Sequence, residues 1–371
     1  MTLAMLAAVL AVFTFGIVMV IPGSIKLRLV ERVRMDDAQM GKVLTIWQVT
    51  TLVCTLIVGP LLDKFGHKLV MICGFLMVAV AIWCFARATR VPGVFVASAL
   101  LGVGGSCVNM AGNTLLPALN PTNPAAASNL GNVFFGLGAF LVPFLISHLF
   151  QRVRFTAAVS VFGFIAAAAA IPAFFAHYPT VSSGYRLSTA VALLGNGAVL
   201  VGGSILFCMV GLEVSAASWT TTYLRKIGFD ERRAALLFSL LWVSKIVGRF
   251  IASQVVTTGI AKGTILLAAL GAAALLLTLT ITMNRAIAGV CVASLGLFFG
   301  PILPTTVGVT FAKFSPALYG SIYGIIYAIG LVGSSVVPGL VGHYSKTRSI
   351  HVGYRLMFLL AALLFLFALL L

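Results

Sequence analysis

The chain has 371 residues, 61% of them hydrophobic and only 8% charged, with a formal net charge of +17 and a mean hydropathy of +1.14. So few charges cannot cover a water-soluble surface, which excludes a cytosolic enzyme and, despite the positive balance, a nucleic-acid module. The apolar runs are continuous rather than alternating, which excludes a transmembrane β-barrel.

A helical span needs about 20 apolar residues, so at roughly 30 residues per span and connection the chain has room for about twelve. Apolar runs between charges and prolines predict helices over 2–24, 37–61, 69–88, 92–118, 126–150 and 156–177, then 190–223, 231–257, 263–283, 285–311, 317–343 and 351–371. The first run has no Lys or Arg ahead of it and is too long for the core of a signal sequence, so it counts as a span. The polar stretch 177–188 separates six spans from six. This pattern predicts an all-α membrane protein with an amino-terminal six-helix bundle over 1–177, a linker over 178–188 and a carboxy-terminal six-helix bundle over 189–371. Transporters built from repeats around a central site have this division.

The six cysteines, Cys54, Cys73, Cys84, Cys107, Cys208 and Cys291, show no C-x-x-C spacing and read as small core residues. Gly102, Gly104 and Gly105 lie inside an apolar helix, not between a strand and a helix, and so read as helix packing rather than nucleotide binding. The five histidines lie near predicted helix ends without ligand spacing, and no metal cluster, Ser/His/Asp set or phosphate loop is evident.

Several motifs carry a more specific signal. After the second span comes Gly59-Pro60-Leu61-Leu62-Asp63-Lys64-Phe65-Gly66-His67-Lys68, an acid and several bases in a tight turn. This resembles the signature loop of the major facilitator superfamily. Span four carries Asn109-Met110-Ala111-Gly112-Asn113, and span five carries Asn129-Leu130-Gly131-Asn132 followed by Phe134-Phe135-Gly136. Span seven carries Gly211-Leu212-Glu213 with Trp219 and Tyr223. Span eight carries Phe238-Ser239-Leu240-Leu241-Trp242 with Gly248-Arg249, and span ten carries Gly300-Pro301. Together these resemble the fucose:galactose:proton symporter family and its sodium-dependent glucose transporter-like relatives. The resemblance implies a two-bundle fold, a cytoplasmic signature loop in which Asp63 with Lys64 and Lys68 helps hold one conformation, and cytoplasmic termini. It does not carry proton coupling by acids of the first and fourth spans: the first span has none here, and Asn109 stands where related sequences often have Asp.

Of the seven acids, Glu31, Asp36, Asp37, Asp63, Asp230 and Glu231 lie at predicted loops or helix ends, leaving Glu213 alone inside an apolar run. A charge at mid-membrane costs roughly 2.5–3.5 kcal/mol on insertion scales, so it normally faces a cavity or a partner. Glu213 is therefore the expected ion-coupling residue. Lys245 is equally isolated and shares a helix face with Trp242 and Arg249 through spacings of three and four. Adjacent antiparallel spans could bring it to Glu213, and Arg249 joins Asp63, Lys64 and Lys68 as an expected gating residue.

Sugar hydroxyls are recognised by amides, carboxylates and aromatic faces in a mostly apolar cavity. Asn109 and Asn113 lie one turn apart on the same face. Trp47, Gln48, Asn132, Glu213, Trp219, Trp242 and Lys245 complete the expected site. Tyr323 and Tyr327 continue a stripe from Tyr319, which itself reads as packing.

With the signature loop inside, most bases fall outside, among them Lys26, Arg28, Arg32, Arg34, Arg87, Arg90, Arg152, Arg154, Arg225, Lys226 and Arg285. This opposes the positive-inside bias, and it points either to a habitat where external acid weakens the membrane potential or to a basic vestibule that draws anions. The resulting expectation is a carrier in the cell membrane that moves a monosaccharide by alternating access, coupled to sodium or protons, and not an enzyme. The alternatives are an uncoupled sugar uniporter, a carrier or exporter of organic anions or amphipathic molecules, and a non-transporting receptor or scaffold. No cofactor is expected beyond the co-transported ion. The expected partners are a small-molecule substrate and membrane lipids, without nucleic acid, for a monomeric chain.

Overall fold

The computed structural model describes residues 2–179 and 187–371. The helices are α1 (Leu3–Val33), α2 (Asp37–Phe65), α3 (His67–Arg87), α4 (Val91–Leu119), α5 (Pro124–Arg152), α6 (Phe155–Phe175), the short α7 (Leu187–Ala192), α8 (Gly197–Lys226), α9 (Glu231–Val255), α10 (Ala261–Ile281), α11 (Arg285–Phe311), α12 (Tyr319–Thr347) and α13 (Ile350–Leu369). Twelve of them, α1 to α6 and α8 to α13, are long and apolar enough to cross a bilayer, and no strand occurs among the described residues. The expected linker falls largely on 180–186, outside the described residues.

Two expected boundaries are corrected. Pro22 suggested a stop near residue 24, because proline lacks an N–H and crowds the preceding turn, yet α1 continues to Val33. The extension is amphipathic: Ile25, Leu29 and Val33, spaced by four, are buried, while Arg28, Glu31 and Arg32 are exposed. The Arg32 Nε donates to the Ala88 carbonyl at 3.2 Å, and the Arg28 guanidinium lies 4.9 Å from the Phe150 ring. Tertiary burial thus outweighs the proline. The helix ends where Arg34 turns left-handed (φ 57°), and α2 starts from a reciprocal capping box between Asp36 and Gln39. The seventh span, expected from residue 190, begins as α8 at Gly197. There the extended Asn196 accepts hydrogen bonds from the amides of Ala198 and Val199 and ends the preceding 3₁₀ turn.

The chain divides into two compact units. The first contains residues 1–119, 134–190 and 316–324. In it α4 packs against α1, α2 and α3, and α3 also packs against α6. The second contains 120–133, 191–315 and 325–371. Here α11 packs against α8, α9 and α10, while α13 packs against α8 and α10.

In hydrocarbon no hydrophobic force draws helices together, so small residues that permit backbone approach carry much of the packing. In the first unit a Cβ on Gly138 would stand 2.1 Å from the Phe13 carbonyl oxygen, and one on Gly16 would stand 2.2 Å from that of Phe135. Two backbones therefore meet through paired glycines. Gly138→Val should lower the melting temperature of the detergent-purified protein sharply, since overpacking against rigid backbone costs about 1–3 kcal/mol or more. Gly93→Ala, at a glycine with nothing within 4 Å of an added Cβ, should leave the melting curve unchanged.

Candidate functional site

The second unit holds a charged cluster within its spans. On α9, Trp242, Lys245 and Arg249 fall on one face. The Lys245 Nζ is ion-paired with the Glu213 Oε1 of α8, the two side chains being 2% and 18% exposed. The same Nζ lies 4.7 Å from the Trp242 ring centre, where the electron-rich face adds to its stabilisation. The Arg249 Nε donates to the Gly300 carbonyl at 3.3 Å, and its terminal nitrogen donates to the Asn132 carbonyl at 3.1 Å. One carboxylate among two cations leaves this cluster with a net positive charge.

Glycines on α11 allow α9 to come this close. A Cβ on Gly296 would stand 1.9 Å from the Leu241 carbonyl oxygen, and one on Gly300 would stand 2.5 Å from that of Lys245. The backbone that carries the buried lysine is thus pressed directly onto α11. Other predicted residues of this unit are placed differently. The Trp219 indole donates to the Pro338 carbonyl at 3.0 Å and packs over Gly342, away from the ion pair. Asn132 is buried, with its amide donating to the Ser128 carbonyl, and Tyr327 is buried on α12.

In the first unit a neutral polar layer forms. The Asn113 Nδ2 donates to the Asn109 Oδ1 at 2.8 Å, and the Tyr323 hydroxyl donates to the same oxygen at 3.4 Å. Helix register brings two threonines to this level. Gly105 faces Val18 and Gly112 faces Val12 along α1 and α4, which sets Thr14 opposite Asn109. The hydroxyl of Ser106 donates to the Thr51 carbonyl, which sets Thr55 within a residue of that level on α2. The Asn109 Nδ2, Thr14 Oγ1, Thr55 Oγ1 and Trp47 Nε1 are all buried without a hydrogen-bond partner among the described residues. Trp47 lies level with Gly102, about 10 Å along the axis from Asn109 at 1.5 Å per residue. Gln48 is exposed. The sequence reading missed Thr14 and Thr55, because isolated threonines in a span usually bond back to their own helix and carry no distinguishing pattern.

The signature loop also acts within the first unit. The Asp63 carboxylate accepts the amide hydrogens of Gly320 at 2.8 Å and Ser321 at 2.7 Å, together with the Ser321 hydroxyl. It therefore caps the first turn of α12, where unsatisfied N–H groups and the helix dipole favour an anion. Gly320 is required for the approach, since a Cβ there would stand 2.4 Å from the Gly59 carbonyl oxygen. The bases are placed elsewhere: the Lys64 ammonium is 5.1 Å from the Phe65 ring centre and that of Lys68 is 5.3 Å from Phe174. His67 shares a hydrogen bond with the Thr114 hydroxyl at 3.0 Å.

Removing one member of a buried ion pair leaves an uncompensated charge and typically costs about 3–5 kcal/mol. Lys245→Ala should therefore destabilise the purified protein strongly in a thermal melt. The double variant Lys245→Met with Glu213→Gln should recover most of the loss. Equal melting of the single and double variants would show that the pair contributes no coupling energy.

Comparison with known proteins bears on the fold. The crystal structure of a Major Facilitator Superfamily transporter, FucP, in the outward conformation superposes with a TM-score of 0.85 at 16% identity, covering 99% of this chain and 98% of that one. A single-residue variant of the E. coli fucose:proton symporter FucP gives 0.82 at 17% identity, with 98% of each chain covered. The human organic anion transporter MFSD10 (TETRAN) gives 0.77 at 16%, covering 99% and 98%. The agnestins efflux protein AgnL12 of Paecilomyces divaricatus is 28% identical over 215 residues, 53% of this chain, and the match spans only 46% of that relative. The family model of the Major Facilitator Superfamily matches residues 3–338. The chain belongs to the Major Facilitator Superfamily and is a multi-pass membrane transporter rather than an enzyme.

Proposed function

We propose that the chain is a secondary transporter of a monosaccharide, working by alternating access in a cell membrane with both termini cytoplasmic and the two six-helix bundles, 1–177 and 189–371, as its moving halves. The observation that carries the substrate is the neutral layer of the first unit. In it Asn109, Thr14 and Thr55, and about 10 Å further along the axis Trp47, each keep a buried polar atom without a hydrogen-bond partner among the described residues. Such groups cost free energy when unpaired, and a polyhydroxylated solute supplies donors and acceptors without bringing a charge. Asn113 and Tyr323 hold the Asn109 oxygen, which turns its amide nitrogen toward the remaining partner. Asn132, Gln48, Trp219, Trp242 and Tyr327 are further candidates for the solute path.

Coupling falls to Glu213. Its carboxylate is held by the Lys245 ammonium, and a sodium ion or a proton that competes for the carboxylate would free the lysine and link ion entry to helix rearrangement. Asp63 serves as a conformational latch through its cap on α12, with Lys64, Lys68 and Arg249 as its expected partners in gating. A second reading, a carrier of organic anions, is favoured by the surplus positive charge of Lys245 and Arg249 over Glu213. A solute carboxylate would then take the place of Glu213 on the lysine.

Proteoliposome uptake of labelled hexoses under separately imposed sodium and proton gradients tests both readings. Wild type should accumulate a hexose under one gradient, and Asn109→Ala should reduce uptake about ten-fold, the equivalent of one lost hydrogen bond of about 1.4 kcal/mol. Glu213→Gln should abolish accumulation while retaining exchange. Accumulation by Glu213→Gln equal to wild type would remove Glu213 from coupling. If folded protein carries no hexose but takes up organic anions in a Lys245-dependent way, the second reading replaces the first.

A further inference from the structure

We propose that the second unit binds the headgroup of an anionic phospholipid in a groove between α9 and α11, with Arg233 and Arg285 holding the phosphate and the apolar floor receiving the acyl chain. The groove has a volume of about 520 Å³. Its rim is formed by the two arginines with Gly228 and Phe229, and its walls by Leu237, Leu240, Val290 and Ala293.

The geometry has a specific origin. Lower in the spans, α9 and α11 touch backbone to backbone at Gly296 and Leu241. Two turns nearer their starts the floor is Gly289, where an added Cβ would meet Leu237 at 3.5 Å and Phe229 at 3.6 Å. Those are ordinary contact distances. A single methyl is therefore accommodated there, and the glycine is not demanded by helix packing. The outer walls face away from the protein, Leu240 being 42% and Val290 65% exposed.

Polarity changes with depth as it does across a lipid leaflet. Arg285 opens α11 and Arg233 lies in the first turn of α9, whereas Ala293 is eight residues on, roughly 12 Å down the helix at 1.5 Å per residue. The arginines thus stand at headgroup level and the apolar walls at the level of the first methylenes. The Nε of Arg285 donates to the Ile227 carbonyl at 3.2 Å, orienting the guanidinium over Gly228, whose φ of 96° and missing side chain make room for it. Among the described residues the Arg233 side chain meets the exposed Asp230 carboxylate, at 3.2 Å, and Asp230 is also engaged by the Arg233 amide as the cap of α9. In the sequence flanking the groove, Arg225, Lys226, Arg232, Arg233 and Arg285 outnumber the acids Asp230 and Glu231. The planar guanidinium fork matches phosphate oxygens two at a time, so a pair of arginines over an apolar groove suits a phospholipid headgroup. A soluble anion would use the arginines and leave the apolar walls uncovered; a diacyl phosphate covers both.

The test is native mass spectrometry of the detergent-purified protein with equimolar phosphatidylglycerol and phosphatidylcholine. Wild type should retain phosphatidylglycerol at least ten-fold better, and Arg233→Gln, which disturbs only an exposed contact, should reduce the preference several-fold. The pair Arg233→Gln and Arg285→Gln should abolish it. Gly289→Leu fills the floor and keeps both arginines, and it should also lose the lipid, a thermal melt confirming that the variant is folded. Equal retention of the two lipids by wild type, a preference that survives the double variant or Gly289→Leu, or displacement of the lipid by millimolar inorganic phosphate alone would overturn the proposal. The readout is lipid retention, so it stands apart from the identity of the transported solute.

Discussion

The ammonium of Lys245 must be answered inside a hydrocarbon-embedded protein, and much of the second unit is organised around that requirement. Among the described residues the acid it pairs with is Glu213 on α8, so α8 and α9 meet at that level. The Trp242 face supplies a second, weaker stabilisation from the same helix. The neighbouring Arg249 is satisfied quite differently, by the backbone carbonyls of Gly300 and Asn132. A guanidinium has several donors in a rigid fork and can be distributed over carbonyls, whereas a compact ammonium needs a counter-ion. The lysine is thus answered by one ionic contact, whereas Arg249 is spread over backbone carbonyls.

Close approach of helices is the complementary constraint. With every backbone group bonded within its own helix, the remaining choice is how near two helix axes come, and that is set by the residues at the crossing. Gly296 and Gly300 bring α11 onto the backbone of Leu241 and Lys245. Gly320 lets the amides of α12's first turn reach Asp63. In both places a missing side chain positions a charge. Polar chemistry and helix packing are thus joined, and the glycines act on function through the distances they permit.

Much of this was legible in the sequence. Hydropathy alone placed the twelve spans, because the bilayer demands long apolar runs whatever their tertiary setting. The isolation of Glu213 and Lys245 allowed for their meeting, since two lone opposite charges in adjacent antiparallel spans have few other ways to be satisfied, and the two are ion-paired. What escaped was whatever depends on register between spans distant in sequence. Thr14 and Thr55 look like ordinary threonines until α1, α2 and α4 are aligned. Asp63 was read with the bases of its own turn, yet its partners are the amides of Gly320 and Ser321, more than 250 residues on. The continuation of α1 beyond Pro22 was hidden for a similar reason: local chain chemistry argues for a stop, and the burial of Ile25 and Leu29 that overrides it comes from other helices.

The uneven distribution of bases also has a structural component. In the first unit Arg28 donates to the Phe150 carbonyl near the end of α5, and Arg32 donates to the Ala88 carbonyl that closes α3. In the second, Arg285 donates to the Ile227 carbonyl that ends α8. Each answers a carbonyl left unsatisfied at a helix C-terminus, where the dipole also favours a cation. The last turns of α1, α2, α3, α5, α8 and α12 contain Lys or Arg, whereas those of α4, α6, α9, α10, α11 and α13 contain none. An arginine held by a helix end is placed by the fold, and its side of the membrane follows from the direction of its helix. The positive-inside bias concerns charges that steer insertion. Bases that serve as helix caps belong to a separate count, so an excess of them at one set of helix ends does not by itself oppose the orientation implied by the signature loop.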